Sequence, residues 1–209
     1  MGDWWSQTGN WAVNTCCHPD GLLKVAEAVR DNGLKFLLWI EPERVISKNP
    51  MPREHPEWFL RRKDEPKDNA SWLLNLGNPE ALRGAVDLVS GYIEKLGLGC
   101  YRQDFNTEPL PYWQENDEPE RIGMLEIRHI MGLYAFWDAL LLRFPHLLID
   151  NCASGGRRID IETCRRSIPL WRSDYQCLWD NDAETSQTHS MGISWWLPYS
   201  GTGTGNTSG

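Results

Sequence analysis

Apolar residues along the chain recur with two periods. Between residues 20 and 32, Leu22, Leu23, Ala26 and Val29 fall at helical spacing, with Asp20 placed to cap the start and Gly33 to end the helix. A short apolar strand over 35–40 follows at once and is closed by Glu41 and Pro42. The same unit returns with Asn78 as cap and Pro79 at the first helical position. Leu82, Ala85, Val86, Val89, Ile93 and Leu96 form its stripe, Gly97 its stop, and 98–105 its strand. A third helix over 120–143 carries Met124, Ile127, Met131, Tyr134, Trp137 and Leu141 and feeds the apolar run 147–149. Segments 168–172 and 193–197 read as further short strands.

Helices alternating with short apolar strands predict an α/β fold of parallel strands covered by helices, either a closed barrel or an open doubly wound sheet. The polar positions favour the barrel. Each apolar segment runs into polar groups at its C-terminal end: Glu41; Asp104 and Asn106; Asp150, Asn151 and Cys152; Ser173 and Asp174. In a (β/α)8 TIM barrel such ends converge on one face. A dinucleotide-binding sheet is disfavoured because no glycine-rich phosphate fingerprint follows a strand. Four helix–strand or strand units and a candidate fifth do not close eight strands, so the expected fold is an incomplete TIM barrel. The chain opens in a Trp-rich segment and ends in a Gly/Thr/Ser stretch, 201–209, that reads as a loop.

Composition narrows the ligand. With 209 residues, 41% of them hydrophobic, the chain has apolar mass for a real core, and its net charge of −8 disfavours nucleic acid and anionic membranes. Twelve Trp residues suit the apolar faces of sugar rings, although aromatic-rich cores use indoles equally well. Six cysteines are too sparse for a disulfide scaffold and show no repeated zinc spacing, so most are expected reduced and packed. No apolar run approaches the roughly 20 residues of a membrane span, and the first residues lack a signal peptide, which favours a cytoplasmic location.

Among the acids, Asp104 and Asp174 each end a strand in an apolar and aromatic context, as a pair flanking a glycosidic bond would. The alternative is that either acid caps a loop or balances an arginine. Arg102, two residues before Asp104, would share its face and hold it ionised, whereas Arg172 must turn away from Asp174 if that group is to stay protonated. The run Cys152-Ala153-Ser154-Gly155-Gly156-Arg157-Arg158-Ile159-Asp160 is glycine-rich directly after a strand. No Lys-Ser/Thr pair follows it, which argues against a P-loop, and Arg158 with Asp160 reads as a tie within the loop. Cys16 and Cys17 beside His18 make a poor tetrahedral site, so no metal or cofactor is expected and His18 reads as a packing or capping residue. No G-x-S-x-G elbow occurs.

Four segments in this order and spacing resemble glycoside hydrolase family 36, the α-galactosidases: Leu38-Trp39-Ile40-Glu41-Pro42-Glu43, Tyr101-Arg102-Gln103-Asp104-Phe105-Asn106, the run from Cys152 to Asp160, and Trp171-Arg172-Ser173-Asp174-Tyr175. The resemblance implies a partial (β/α)8 catalytic domain over 1–209 and a retaining hydrolase of terminal α-galactosides such as raffinose-type oligosaccharides or galactomannan side chains. It implies Asp104 as nucleophile and Asp174 as acid/base. Trp39, Arg102, Asn106, Cys152 and the Gly155 backbone would be substrate-binding, with Cys152 and Gly155 near the sugar 2-hydroxyl. The partner implied is the α-galactoside, and the full-length enzyme could be a homo-oligomer. The chain departs from the family in two ways. Arg102 stands where the family usually has Lys, and the strand with paired acids, the last barrel strand and the flanking β-domains have no counterpart here. The competing readings are a non-catalytic sugar-binding remnant, an α-N-acetylgalactosaminidase, or a transglycosylase with the same residues.

Overall fold

A computed structural model describes residues 4–66 and 68–201. Gly2 and Asp3 of the opening segment and the 202–209 part of the expected terminal loop lie outside the described residues. The first helix, α1 (Leu23–Asp31), starts later than expected: Leu22 occupies the cap position without a side-chain bond, and Asp20 instead pairs with Lys24. Gly33 does end it, at φ +68. Strand β1 (Phe36–Ile40) follows.

An unanticipated insert comes next: β2 (Arg44–Ile46), α2 (Pro50–Glu54), β3 (Phe59–Leu60) and β4 (Ser71–Leu74), whose strands form an antiparallel sheet in the order β2-β4-β3. Two to four residues are too few for a period to register, yet Val45 and Leu73 are fully buried. Then α3 (Pro79–Leu96) matches its signals: the Asn78 side chain accepts the Glu80 N–H at 2.9 Å, Pro79 has no N–H to leave unpaired, and Gly97 closes the helix in the left-handed region at φ 61.

Strand β5 (Leu98–Gln103) ends two residues before its expected limit, short of Asp104. After α4 (Leu110–Asn116), the long helix α5 (Met124–Arg143) leads to β6 (Leu148–Asn151). The buried face of α5 matches the expected stripe at Trp137 but not at Ile127 or Met131. His129, Gly132, Leu133, Phe136, Trp137 and Leu140 point inward, while Ile127 and Met131 are exposed. The helix is apolar on several sides, so periodicity cannot select the face. Backbone approach selects it, because Gly132 lies so close to the Leu76 carbonyl that a Cβ would not fit.

The main sheet runs β1-β5-β6, all parallel. Among the described residues it is an open three-stranded sheet, not a closed barrel. The expected strand at 168–172 is reduced to a bridge between Asp150 and Ile168, and 193–197 falls at the end of α7 (Ala183–Ser194) and in the turns after it. Asp182 caps α7 by accepting the Thr185 N–H at 2.7 Å, and this drives the segment into helix. A short helix, α6 (Ile161–Cys164), precedes the 168–172 segment.

The core lies between the sheet and the layer of α3 and α5. Tyr101 and Ile149 from the sheet meet Ala85, Val89 and Ile93 of α3 and Phe136, Trp137 and Leu140 of α5. No helix among the described residues is long and apolar enough to cross a membrane. All six cysteines are free, but Cys16, Cys17 and Cys177 are exposed rather than packed, as is His18.

Candidate active site

Parallel register places Trp39, Arg102 and Asp150 in one row across β1, β5 and β6 near the C-terminal ends of the strands. Residue 104 is the first past β5, and its N–H still reaches the Ile40 carbonyl at 3.4 Å, so the sheet carries Asp104 to its edge. The Asp104 carboxylate, 9% exposed, is surrounded by donors. Oδ1 accepts the Phe105 N–H at 2.8 Å and the Ser154 N–H at 3.3 Å, and Oδ2 accepts Trp39 Nε1 at 3.1 Å. Burial alone would raise this carboxyl. Hydrogen bonds from the Asn106 side chain, Phe105, Trp39 and the Cys152 thiol outweigh it and hold the group below its usual range.

These donors are the principal hold on the ionised form; the Arg102 charge also acts on Asp104, but its hydrogen bond goes elsewhere. The Arg102 guanidinium turns across the row instead and donates from Nη1 to Asp150 Oδ2 at 2.5 Å. Asp150, itself buried, also accepts the Leu170 N–H at 2.9 Å and so ties the segment leading to Asp174 onto the sheet.

Asn106 is anchored from beneath. Its N–H donates to Glu41 Oε1 at 2.6 Å and its Nδ2 to Oε2 at 3.3 Å, while Arg44 grips the same buried carboxylate through Nε at 2.9 Å and Nη2 at 2.8 Å. Its Oδ1 accepts the Ser154 hydroxyl at 3.1 Å. Cys152 is buried, and its N–H bonds the Gln103 carbonyl at 2.8 Å. Burial and the nearby Asp104 charge push its thiol up to about 12, so it meets a ligand as a neutral S–H.

Asp174 begins a 3₁₀ turn, Asp174–Cys177, rather than ending a strand. It is exposed, and its Oδ1 accepts Trp171 Nε1 at 2.9 Å. Arg172 does turn away, as expected. It is buried and donates to Ser194 Oγ at 2.8 Å and to the carbonyls of Ser190 and Tyr199 at 3.0 and 2.5 Å. Gly155 lies at φ +81 against the backbone of Ser173 and Asp174. The structure thus gathers Trp39, Asp104, Asn106 and Cys152 around one carboxylate. It sets Arg102 beside them on Asp150 and brings Gly155 up to Asp174.

Sequence reasoning missed Glu43. It is fully buried beside the ends of β1 and β5, where Arg158 pairs with it, Gln103 Nε2 approaches to 3.4 Å, and His129 Nε2 stands 3.6 Å away. Burial would raise the Glu43 carboxyl, but the Arg158 charge and the carboxyl's interactions with His129 bring it down to about 2. The expected tie between Arg158 and Asp160 does not form. Asp160 caps α6 by accepting the Thr163 N–H at 2.9 Å, and Arg158 reaches across 115 residues of sequence to Glu43. An acid recurring two residues after Glu41 was the available signal for Glu43, since such residues share a face of an extended segment. No group of three or more His, Cys, Asp or Glu side chains among the described residues could hold a metal ion.

The melibiase family profile matches residues 2–203. The chain is 30% identical to an alpha-galactosidase of Escherichia coli over 192 residues, covering 91% of this chain and 26% of that protein. The crystal structure of the alpha-galactosidase from Lactobacillus brevis superimposes with a TM-score of 0.77 at 28% identity, over 91% of this chain and 25% of the other. A double variant of AgaA from Geobacillus stearothermophilus, a glycoside hydrolase family 36 alpha-galactosidase, solved in complex with raffinose, gives 0.74 at 28% identity, over 89% and 26%. The chain therefore spans about a quarter of the length of these relatives.

Proposed function

The chain belongs to the melibiase family, and from that premise we propose that it carries the catalytic centre of a retaining α-galactosidase, as part of a (β/α)8 barrel. Asp104 attacks the anomeric carbon of a terminal α-galactoside while the Asp174 carboxyl protonates the departing glycosidic oxygen. The C–O bond to the leaving group breaks as the bond to Asp104 Oδ forms, giving a galactosyl-enzyme. Asp174, now a carboxylate, takes a proton from water, which attacks the same carbon from the vacated side as the bond to Asp104 Oδ breaks, releasing galactose with its α configuration and restoring the Asp104 carboxylate.

The observation that carries this reading is the Asp104 carboxylate itself: buried, held ionised by neutral donors, and located where a strand end meets the glycine-rich loop. Neutral donors suit a nucleophile, since they favour the charged form without an arginine saturating its lone pairs. Trp39 and Asn106 hold the attacking oxygens in place. Arg102, braced by Asp150, would present its remaining N–H groups to sugar hydroxyls, and the neutral Cys152 thiol would line the pocket wall. The raffinose complex of AgaA supports an α-galactosyl oligosaccharide as the substrate class.

A 2-fluoro galactosyl inactivator tests the assignment by mass spectrometry. One sugar residue attached at Asp104, and none after Asp104→Asn, is the expected result. Label on another residue would remove Asp104 from the role. Hydrolysis of an aryl α-galactoside set beside its N-acetylgalactosaminide separates the two sugar classes.

A further inference from the structure

The segment 154–156 touches the Asp104 carboxylate on one side and the backbone that carries Asp174 on the other. On one side, the Ser154 N–H donates to Asp104 Oδ1 at 3.3 Å and the Ser154 hydroxyl donates to Asn106 Oδ1 at 3.1 Å. On the other side there is no free space. A Cβ added at Gly155 would lie 2.8 Å from the Asp174 backbone nitrogen and 3.0 Å from Ser173 Cα, and one at Gly156 would lie 2.6 Å from the Arg172 carbonyl oxygen. The turn is also tight and held in an uncommon conformation. Ser154 and Gly155 are consecutive left-handed residues at φ +45 and +81, and the Gly155 carbonyl accepts the Ala153 N–H at 2.9 Å. A non-glycine residue in that region persists where its surroundings require it, and here both neighbours of the turn belong to the candidate catalytic pair.

We propose that the turn formed by Ser154, Gly155 and Gly156 is the spacer that sets where Asp174 stands relative to Asp104. This rests on the reading of those two acids as the working pair. The spacing matters chemically because retaining enzymes hold their carboxyls about 5–5.5 Å apart and inverting ones about 6.5–9.5 Å, a difference no larger than about the thickness of one methyl group. Glycine at 155 and 156 lets the Asp174 backbone come within contact of a turn whose other face holds Asp104. Ser154, Gly155 and Gly156 are thus positioning residues. They act through the carboxylates and need not touch the reacting atoms.

The structure supplies a reporter for each side. The Trp39 indole N–H donates to Asp104 and the Trp171 indole N–H donates to Asp174. Each indole resonance in a ¹⁵N-labelled sample of the full chain, assigned with Trp39→Phe and Trp171→Phe, follows the position and ionisation of its own carboxylate. Gly155→Ala and Gly156→Ala are expected to shift the Trp171 indole resonance by more than its linewidth, while the Trp39 resonance stays in place. Gly156 is not in the left-handed region, so its alanine variant adds a methyl group without backbone strain and decides the matter if Gly155→Ala does not fold. A Trp171 resonance unmoved in the folded variants, or Trp39 and Trp171 moving together, would overturn the spacer. Placement is read here without turnover, whereas a wrong catalytic assignment would show as label away from Asp104. The two failures are therefore told apart.

Discussion

The surroundings of Asp104 and Asp174 differ in kind. Asp104 leaves a central strand, is buried, and receives donors from its own next residue, from β1 and from the 152–160 loop. Asp174 begins an exposed turn, bonded to Trp171, on a segment held by Leu170 to Asp150 and by Arg172 to the end of α7. Beyond it, Trp179, Trp195 and Trp196 are largely exposed. The contrast fits a division of labour. A nucleophile has to be ionised and stationary before substrate arrives, and a buried cradle of fixed dipoles provides that. A group that gives up a proton and later takes one from water benefits from contact with solvent.

Five substitutions probe the contrast. The largest effect is expected from Asp104→Asn, which removes the oxygen proposed to attack: hydrolysis of an activated aryl α-galactoside should fall by roughly 10⁴-fold or more, with no covalent intermediate. Asp174→Asn should cost about 10²–10⁴-fold, and unevenly. Substrates with poor leaving groups should lose most and a galactosyl fluoride little, a dependence the nucleophile variant should lack. Equal losses across leaving groups would erase the distinction between the two sites.

Arg158→Met bears on the loop between them. It leaves the Glu43 carboxylate buried beside His129 without its main partner, and breaking such a pair costs about 3–5 kcal/mol, measurable by denaturant unfolding. The pH dependence has a definite sign. Glu43 is lowered from 4.5 to about 2 in the folded chain, so the stability it contributes is complete above about pH 4.5 and is lost as pH falls toward 2. The variant should lose that dependence along with the stability.

The smallest effect is expected from Trp39→Phe, which removes one donor from an ionised acceptor, worth about 1.5–3 kcal/mol. Because hydrogen bonding depresses the Asp104 carboxyl, losing the indole raises it. The acidic limb of the pH–rate profile should then move to higher pH, whereas Trp171→Phe should leave that limb in place.

Much of the frame was legible in local pattern. The caps Asn78 and Gly97 mark α3, the apolar runs mark β1, β5 and β6, and the polar residues after them mark one edge of the sheet. The face of α5 was not legible, because a helix apolar on several sides leaves the choice to the close approach at Gly132. Nor were the strands of the small antiparallel sheet, which are too short for an alternation to repeat, or the fate of 193–197, where the cap at Asp182 governs an apolar run.

What the sequence by itself determined is Asp104 with its neighbouring donors and the strand ends at β1, β5 and β6, because capping, periodicity and spacing act within a few residues. Only the tertiary structure decided the pairings. Arg102 went to Asp150 instead of Asp104, Arg158 to Glu43 instead of Asp160, and Gly155 came against Asp174. The physical reason is that a buried charge takes whichever partner the packed elements bring within a few ångströms, and that distance is set by strand register and helix packing, on which separation along the chain has no bearing.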